Sequence, residues 1–191
     1  MTNTALSCMY FEQPGPENTE DTLRIAAKRA KELGIRSVVV ATTSGATGKR
    51  ASEVFSGLNL VLVTHQEGSK EPNTQELLPE NRKAIEANGG KIVTTTHAFS
   101  GIGAAVRKHL GTYQIDEIIA NVLRLFGQGM KVVCEISLMA ADGGLLTVGE
   151  PTIAIAGTHN GADTAVLLQP ANAKRFFEMR ICEVLCKPRL Y

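Results

Sequence analysis

Two hydrophobic periods alternate along the chain. Cys8 to Phe11 is a short apolar run that predicts a strand, and the breakers Gln13-Pro14-Gly15-Pro16 lead to Asn18, a good helix N-cap with Glu20 and Asp21 in the first turn. Leu23, Ala26, Ala27, Ala30 and Leu33 then recur at helical spacing until Gly34 stops the helix. Val38-Val39-Val40-Ala41 is continuous and β-branched, as in a buried parallel strand. It empties into Thr42-Thr43-Ser44-Gly45-Ala46-Thr47-Gly48, followed by a short helix through Phe55. Leu60 to Thr64 predicts the next strand, ending at His65, with a polar loop from Gln66 to Pro72. Residues 79 to 88 predict a helix opened by Pro79 and closed by Gly89-Gly90. Ile92 to Thr95 predicts a further strand, leading through His97 to a helix ending at His109.

Two helical stripes follow. Ile115, Ile118, Ile119, Val122, Leu123 and Phe126 form one; Val132, Val133, Ile136, Met139 and Ala140 form the other. Between them, Gly127-Gln128-Gly129 allows either a break between helices or a close approach by another backbone. Ile153 to Ala156 and Ala165 to Leu168 predict two strands whose connection, Gly157 to Asp163, is short enough to make them antiparallel. Ile181 to Leu185 predicts one more edge element. Strand and helix alternate as in an α/β protein with a mainly parallel sheet, and no repeat or linker divides residues 1–191, which predicts a single domain.

Composition narrows the function. With 43% hydrophobic and 20% charged residues the 191-residue chain is an ordinary globular one, long enough for a real core. Lysine plus arginine number 20 against 19 acidic residues, without long runs of either sign, which argues against nucleic-acid or anionic-membrane partners. No apolar run approaches the roughly 18 residues of a membrane helix, and MTNTALSCMY lacks the basic and apolar parts of a leader, so a cytoplasmic protein is expected. Cys8, Cys134, Cys182 and Cys186 show no zinc spacing and are expected to be reduced, buried thiols.

The clearest chemical signal is Thr42 to Gly48. A chain leaving a parallel strand and entering a helix gathers free backbone N–H groups and the positive end of a helix dipole, and the hydroxyls of Thr43, Ser44 and Thr47 add donors. That arrangement suits a phosphate; simple helix capping is the other reading. It is not a Walker loop, because Gly45 is only three residues before Gly48 and Arg50 stands where serine or threonine belongs. Gly157 to Asp163 reads either as a hairpin turn, with Asp163 bonding its own backbone, or as a ligand contact. His65 and His97 follow predicted strands, where they can serve as catalysts or, more simply, as hydrogen-bonding loop residues. Glu135 and Asp142 share a helical face and could form an acid/base pair, but a solvated face is the expected reading, with Lys131 and Glu135 a plain i, i+4 pair.

Ser37-Val-Val-Val-Ala-Thr-Thr-Ser-Gly-Ala-Thr, the helix to Phe55 and the strand Leu60-Val-Leu-Val-Thr together resemble the α/β C-terminal domain of pyruvate kinases. In that domain the equivalent loop forms the phosphate-binding part of the effector site. Tyr10-Phe11-Glu12-Gln13-Pro14-Gly15, Glu17-Asn18-Thr19, His97-Ala-Phe-Ser-Gly101, Leu125-Phe-Gly-Gln-Gly-Met-Lys131, Gly161-Ala-Asp-Thr164 and Cys186-Lys-Pro-Arg189 resemble a family of free-standing proteins built from that domain alone. The resemblance implies a three-layer α/β/α fold. It implies no kinase activity, since phosphoryl transfer in pyruvate kinases uses a β/α barrel for which these residues leave no room. The free-standing family is associated with flavin mononucleotide (FMN), so the resemblance implies a phosphorylated small-molecule ligand, most simply FMN, held without an assigned catalytic role. An FMN-dependent oxidoreductase is the alternative.

With no Trp, 3 Tyr and 6 Phe, an aromatic sandwich for a flavin is hard to supply. The expected contacts are therefore Thr42, Thr43, Ser44, Gly45 and Thr47 for the phosphate, with His65, His97 and Ser100 lining the cleft. Phe126, Gly127, Gln128, Gly129, Met130 and Asp163 are assigned to the ring or ribityl end, core packing being the other reading of Phe126. No metal is expected, and homo-oligomerisation is left open.

Overall fold

A computed structural model describes residues 5–189; the first four positions of the segment read above for a leader lie outside the described residues. The strands are β1 (Met9–Phe11), β2 (Ser37–Ala41), β3 (Asn59–Val63), β4 (Lys91–Val93), β5 (Thr152–Ala156), β6 (Thr164–Gln169) and β7 (Arg180–Pro188). The α-helices are α1 (Thr19–Leu33), α2 (Ala46–Val54), α3 (Pro79–Ala87), α4 (Ile102–Leu110), α5 (Ile115–Arg124) and α6 (Gln128–Asp142), with 3-10 turns at Pro16–Asn18 and Ala173–Glu178.

The strands form one sheet in the order β1-β7-β6-β5-β2-β3-β4. β6 alone runs against its neighbours, and every other pairing is parallel. Strand periodicity sorts the buried side chains onto two faces. Val38, Val40, Leu60, Leu62, Ile153 and Ile155 meet α1, α2 and α3 through Leu23, Ala26, Ala51 and Ile85. Val39, Val61, Val63, Ala154 and Val166 meet α6 through Val133, Leu138 and Ala140. The three-layer α/β/α arrangement is the expected one. Among the described residues no helix is long and apolar enough to cross a membrane.

Four local expectations change. β4 ends at Val93, where Thr64 Oγ1 and Thr94 Oγ1 share a hydrogen bond of 2.7 Å instead of continuing the ladder. α6 begins at Gln128, because the break falls at Gly127, whose φ of 118° a side chain would resist. β7 lies inside the sheet between β1 and β6, so β1 is the edge. β1 pairs only with Cys186 to Pro188, which leaves Arg180 to Cys182 exposed; Cys182 is therefore an exposed thiol rather than a core one.

α5 is the other departure. Its buried residues are Glu117 and Ala120, while Ile115, Ile118, Val122 and Leu125 are exposed. The stripe splits because α5 packs against the side of α6 rather than on the sheet, so only Ile119 and Leu123 turn toward the core.

Candidate functional site

The chain runs outward from β2 to β3 to β4, then returns to place β5 on the other side of β2. At such a reversal the connections leave on opposite faces and a crevice opens beyond the carboxyl ends of the two strands. Here α2 leaves one face and α6 covers the other. A cleft of about 1000 Å³ occupies this position, reached by Ala41 at the end of β2, by Thr42 just after it and by Gly157 after β5. That is nucleotide-sized, at the upper end of ordinary small-molecule sites.

The β2–α2 loop forms one end. Thr42 continues the sheet through its N–H to Val63 O at 2.9 Å, and its hydroxyl accepts from Gly48 N at 3.2 Å. Gly45 has a φ of 93°, and a Cβ there would lie 2.5 Å from Asn81 Cβ and 2.6 Å from Leu77 Cδ1. Ser44 O accepts from Asn81 Nδ2 at 2.9 Å and from Leu78 N at 3.1 Å, so α3 clamps the loop from outside. The clamp leaves Thr43, Ser44 and Thr47 lining the cleft at the start of α2, where first-turn N–H groups lack intrahelical acceptors.

His65 lines the cleft after β3. Its Nδ1 meets Glu76 Oε2 at 2.7 Å and its Nε2 faces Thr43 Oγ1 at 3.4 Å. Glu76 also pairs with Lys70 at 2.6 Å; the Lys70 ammonium first, and His65 with it, hold this carboxyl below the usual carboxylate range. His97 sits edge-on to His65 with ring centroids 5.4 Å apart. Burial pulls His97 below the ordinary histidine value; the Glu135 carboxylate opposes this, while His65 and Lys131 add to it. Consistently, His97 Nε2 accepts from Gln66 N at 3.3 Å, as a neutral ring does.

α6 supplies the far wall. Gln128, Lys131, Val132, Glu135, Ile136 and Met139 line it, an apolar surface interrupted by the Gln128 amide and one ion pair. Lys131 and Glu135 are both buried and hydrogen-bonded to each other, and the second Glu135 oxygen accepts from Phe99 N at 2.9 Å. The solvated face expected for Glu135 is thus corrected. The β4–α4 segment covers this turn of α6, and only Asp142 stays exposed, where it caps Ala173.

The β5–β6 loop and the β1–α1 loop close the cleft with Pro16, Thr19, His159, Asn160 and Gly161. Asp163 ties them together from beneath. It is completely buried; one oxygen accepts from Gly15 N at 3.2 Å and Thr158 N at 3.1 Å, and the other from Thr164 Oγ1 at 2.7 Å.

The pyruvate kinase α/β domain model matches residues 20–168. The chain belongs to that family. Among solved structures, a pyruvate kinase of Cryptosporidium parvum is 16% identical, with a TM-score of 0.40, over 78% of this chain and 22% of that one. A second structure of pyruvate kinase from the same organism, in complex with ADP, is 15% identical, with a TM-score of 0.41, over 87% of this chain and 23% of that one. The chain therefore spans less than a quarter of the length of those enzymes.

In this pyruvate kinase α/β domain, Thr42, Thr43, Ser44, Thr47, His65, His97, Ser100 and Gln128 line the cleft together, while Gly45, in the same loop as the first three, is buried and does not line it. Five further expected contacts fall elsewhere. Phe126 is 60% exposed, in neither core nor cleft. Gly127 is the buried cap of α6, and Gly129 presses on Thr164. Met130 is a core side chain, and Asp163 shapes the loops without lining the cleft. Lys131, Glu135, Lys70, Glu76 and Arg50 line it unforeseen. The available signal was a lysine and a glutamate as the only charged residues in the largely apolar 130–141 run, a placement that buried charge tolerates only when paired.

Proposed function

We propose that the cleft binds a phosphorylated small molecule, with FMN as the ligand and the cytoplasm as its setting. The observation that carries this reading is the convergence of unlike chemistries at one strand-order reversal. Hydroxyls and the α2 N-terminus lie on one face of the sheet, and the apolar wall of Val132, Ile136 and Met139 lies on the other. An elongated ligand with a phosphate at one end and a flat apolar body satisfies both. FMN fits this donor set: Thr43, Ser44 and Thr47 would take the phosphate, and the α6 wall the ring. When bound, the flavin supplies electron-transfer capacity that no side chain here has. Oxidoreductase chemistry is a second reading, favoured by the titratable His65, His97, Lys131 and Glu135 on the cleft wall.

The test is an equilibrium titration of FMN and riboflavin, which lacks the phosphate, into the parent and into a Thr43→Ala, Ser44→Ala, Thr47→Ala variant. The parent is expected to prefer FMN, and the variant to lose that preference while melting cooperatively. Unchanged FMN affinity in the variant overturns the phosphate assignment. Bleaching of bound flavin by NADH or NADPH decides for the oxidoreductase reading.

A further inference from the structure

Lys131 is a buried cation whose donors are not fully used. Its side chain is 7% exposed and its partner Glu135 5%. Both Glu135 oxygens are engaged, one by Lys131 and one by Phe99 N. Among the described residues, Glu135 is the only hydrogen-bond partner of Lys131 Nζ, although an ammonium carries three donors. Lys131 nevertheless lines the cleft. Beside it, Gln128 spends its carbonyl oxygen on Arg124 Nε at 2.8 Å, which leaves its amide NH₂ as the free half. This part of the cleft therefore offers donors, and it belongs to α6, an element separate from the β2–α2 loop that carries Thr43, Ser44 and Thr47. A buried donor without an acceptor is costly, so a bound ligand gains most by placing an acceptor here.

We infer that Lys131, held by Glu135 and seconded by Gln128, is the anchor for a neutral, strongly hydrogen-bond-accepting group, of the cyclic-imide kind, at the end of the ligand remote from its phosphate. The inference rests on the phosphorylated-ligand reading and adds the chemistry of the ligand's other end. The ion pair is locally neutral, so it selects by hydrogen bonding and shape rather than by net charge. Replacing the acceptor by a methyl group would leave Lys131 unsatisfied, which is how such a site rejects analogues.

The probes are FMN and riboflavin, which share the same imide-bearing ring and differ in the phosphate. Lys131→Met alone strands Glu135 and can fail to fold. The companion variant is therefore Lys131→Met with Glu135→Gln, which keeps an acceptor for Phe99 N and removes both charges. Loss of a charged hydrogen bond is expected to weaken FMN and riboflavin by the same factor, roughly ten- to a hundredfold, while the phosphate-loop variant weakens FMN alone. Equal affinities in parent and double variant overturn the inference. So does weakening of FMN without riboflavin, which would put Lys131 at the phosphate. A parent that binds FMN no better than riboflavin overturns the phosphate reading but leaves the Lys131 comparison standing; a parent that binds neither overturns both.

Discussion

Gly129 gives the sharpest check on how α6 is seated. A Cβ at this position would lie 2.5 Å from Thr164 Cβ and 3.2 Å from Asp163 Oδ1. Carbon atoms rest about 3.5–4.0 Å apart, so the helix must withdraw by about 1 Å or Thr164 must move. Thr164 cannot swing clear, because the clash reaches its Cβ and its hydroxyl donates to Asp163 Oδ1 at 2.7 Å. Twelve of the fifteen residues of α6 are buried, and a tilt would loosen that packing. Overpacking of this kind costs about 1–3 kcal/mol and more against backbone-near atoms, whereas alanine in place of glycine in the first turn of a helix returns only a few tenths of a kcal/mol, less than the roughly 1 kcal/mol of a helix interior. Gly129→Ala is therefore expected to lose about 1–2 kcal/mol, lowering Tm by roughly 2–8 °C for a domain of this size. Gly103 in α4 is the control. Its added Cβ would meet the Asp116 carboxyl, with Cγ at 2.7 Å, which is the tip of a side chain able to rotate away. Gly103→Ala should be neutral or stabilising by a few tenths of a kcal/mol. Thermal and urea unfolding followed by circular dichroism measure both. A Gly129→Ala protein as stable as Gly103→Ala would refute the close seating of α6 on β6.

Asp163→Ala leaves Gly15 N and Thr158 N without their acceptor; at about 1–3 kcal/mol per buried orphan donor, denaturation should show a loss of roughly 2–5 kcal/mol, and a loss below about 1 kcal/mol would contradict this role. Among the thiols, exposed Cys182 should react with a disulfide reagent in native protein, while Cys134 and Cys186, each pushed up to about 12 by burial, should wait for denaturant; fast reaction of all four would disprove the burial. For His97, the folded value lies below the ordinary histidine pKa of about 6.5, so the folded state takes up protons less readily than the unfolded one. Its contribution is therefore complete above about pH 6.5 and is lost as pH falls from there toward the folded value. His97→Gln should flatten that part of the stability profile, and parallel profiles for parent and variant would exclude the effect.

The sheet was legible where side-chain pattern and topology coincide. Val38 to Ala41 and Leu60 to Val63 are apolar at every position because both faces are covered, and that pattern has few other readings. Helix boundaries at Gly34 and Pro79 were equally plain, since each residue fixes a backbone state. α5 was not legible. Ile115, Ile118 and Val122 read as a core stripe, yet they are exposed, because periodicity gives the apolar face of a helix without giving what stands opposite it. The neighbours of α5 are other helices: Ala120 packs toward α6, and Glu117 pairs with Arg107 of α4.

The same limitation explains which half of the cleft could be read. The phosphate end is a local structure, a strand, a loop of hydroxyl residues and a helix, contiguous from Val38 to Phe55, so its chemistry is written in one stretch of chain. The opposite wall depends on strand order. Only because β5 returns to the far side of β2 does the first half of α6 stand over the crevice, converting the Lys131–Glu135 pair from a surface i, i+4 pair into the polar part of an apolar wall. No local pattern encodes that return, since β5 with the same sequence would be equally buried beside β4. Asp163 is the consequence easiest to misread: a polar residue in a glycine-rich loop suggests ligand contact, but at this crossing two loops must be held at a fixed separation. A buried carboxylate bridging Gly15 N and Thr158 N does so. The Asp163→Ala variant, by loosening the two loops that close the cleft, should thus weaken every cleft ligand whatever groups it carries, whereas the Lys131 variant should weaken only ligands that carry the acceptor.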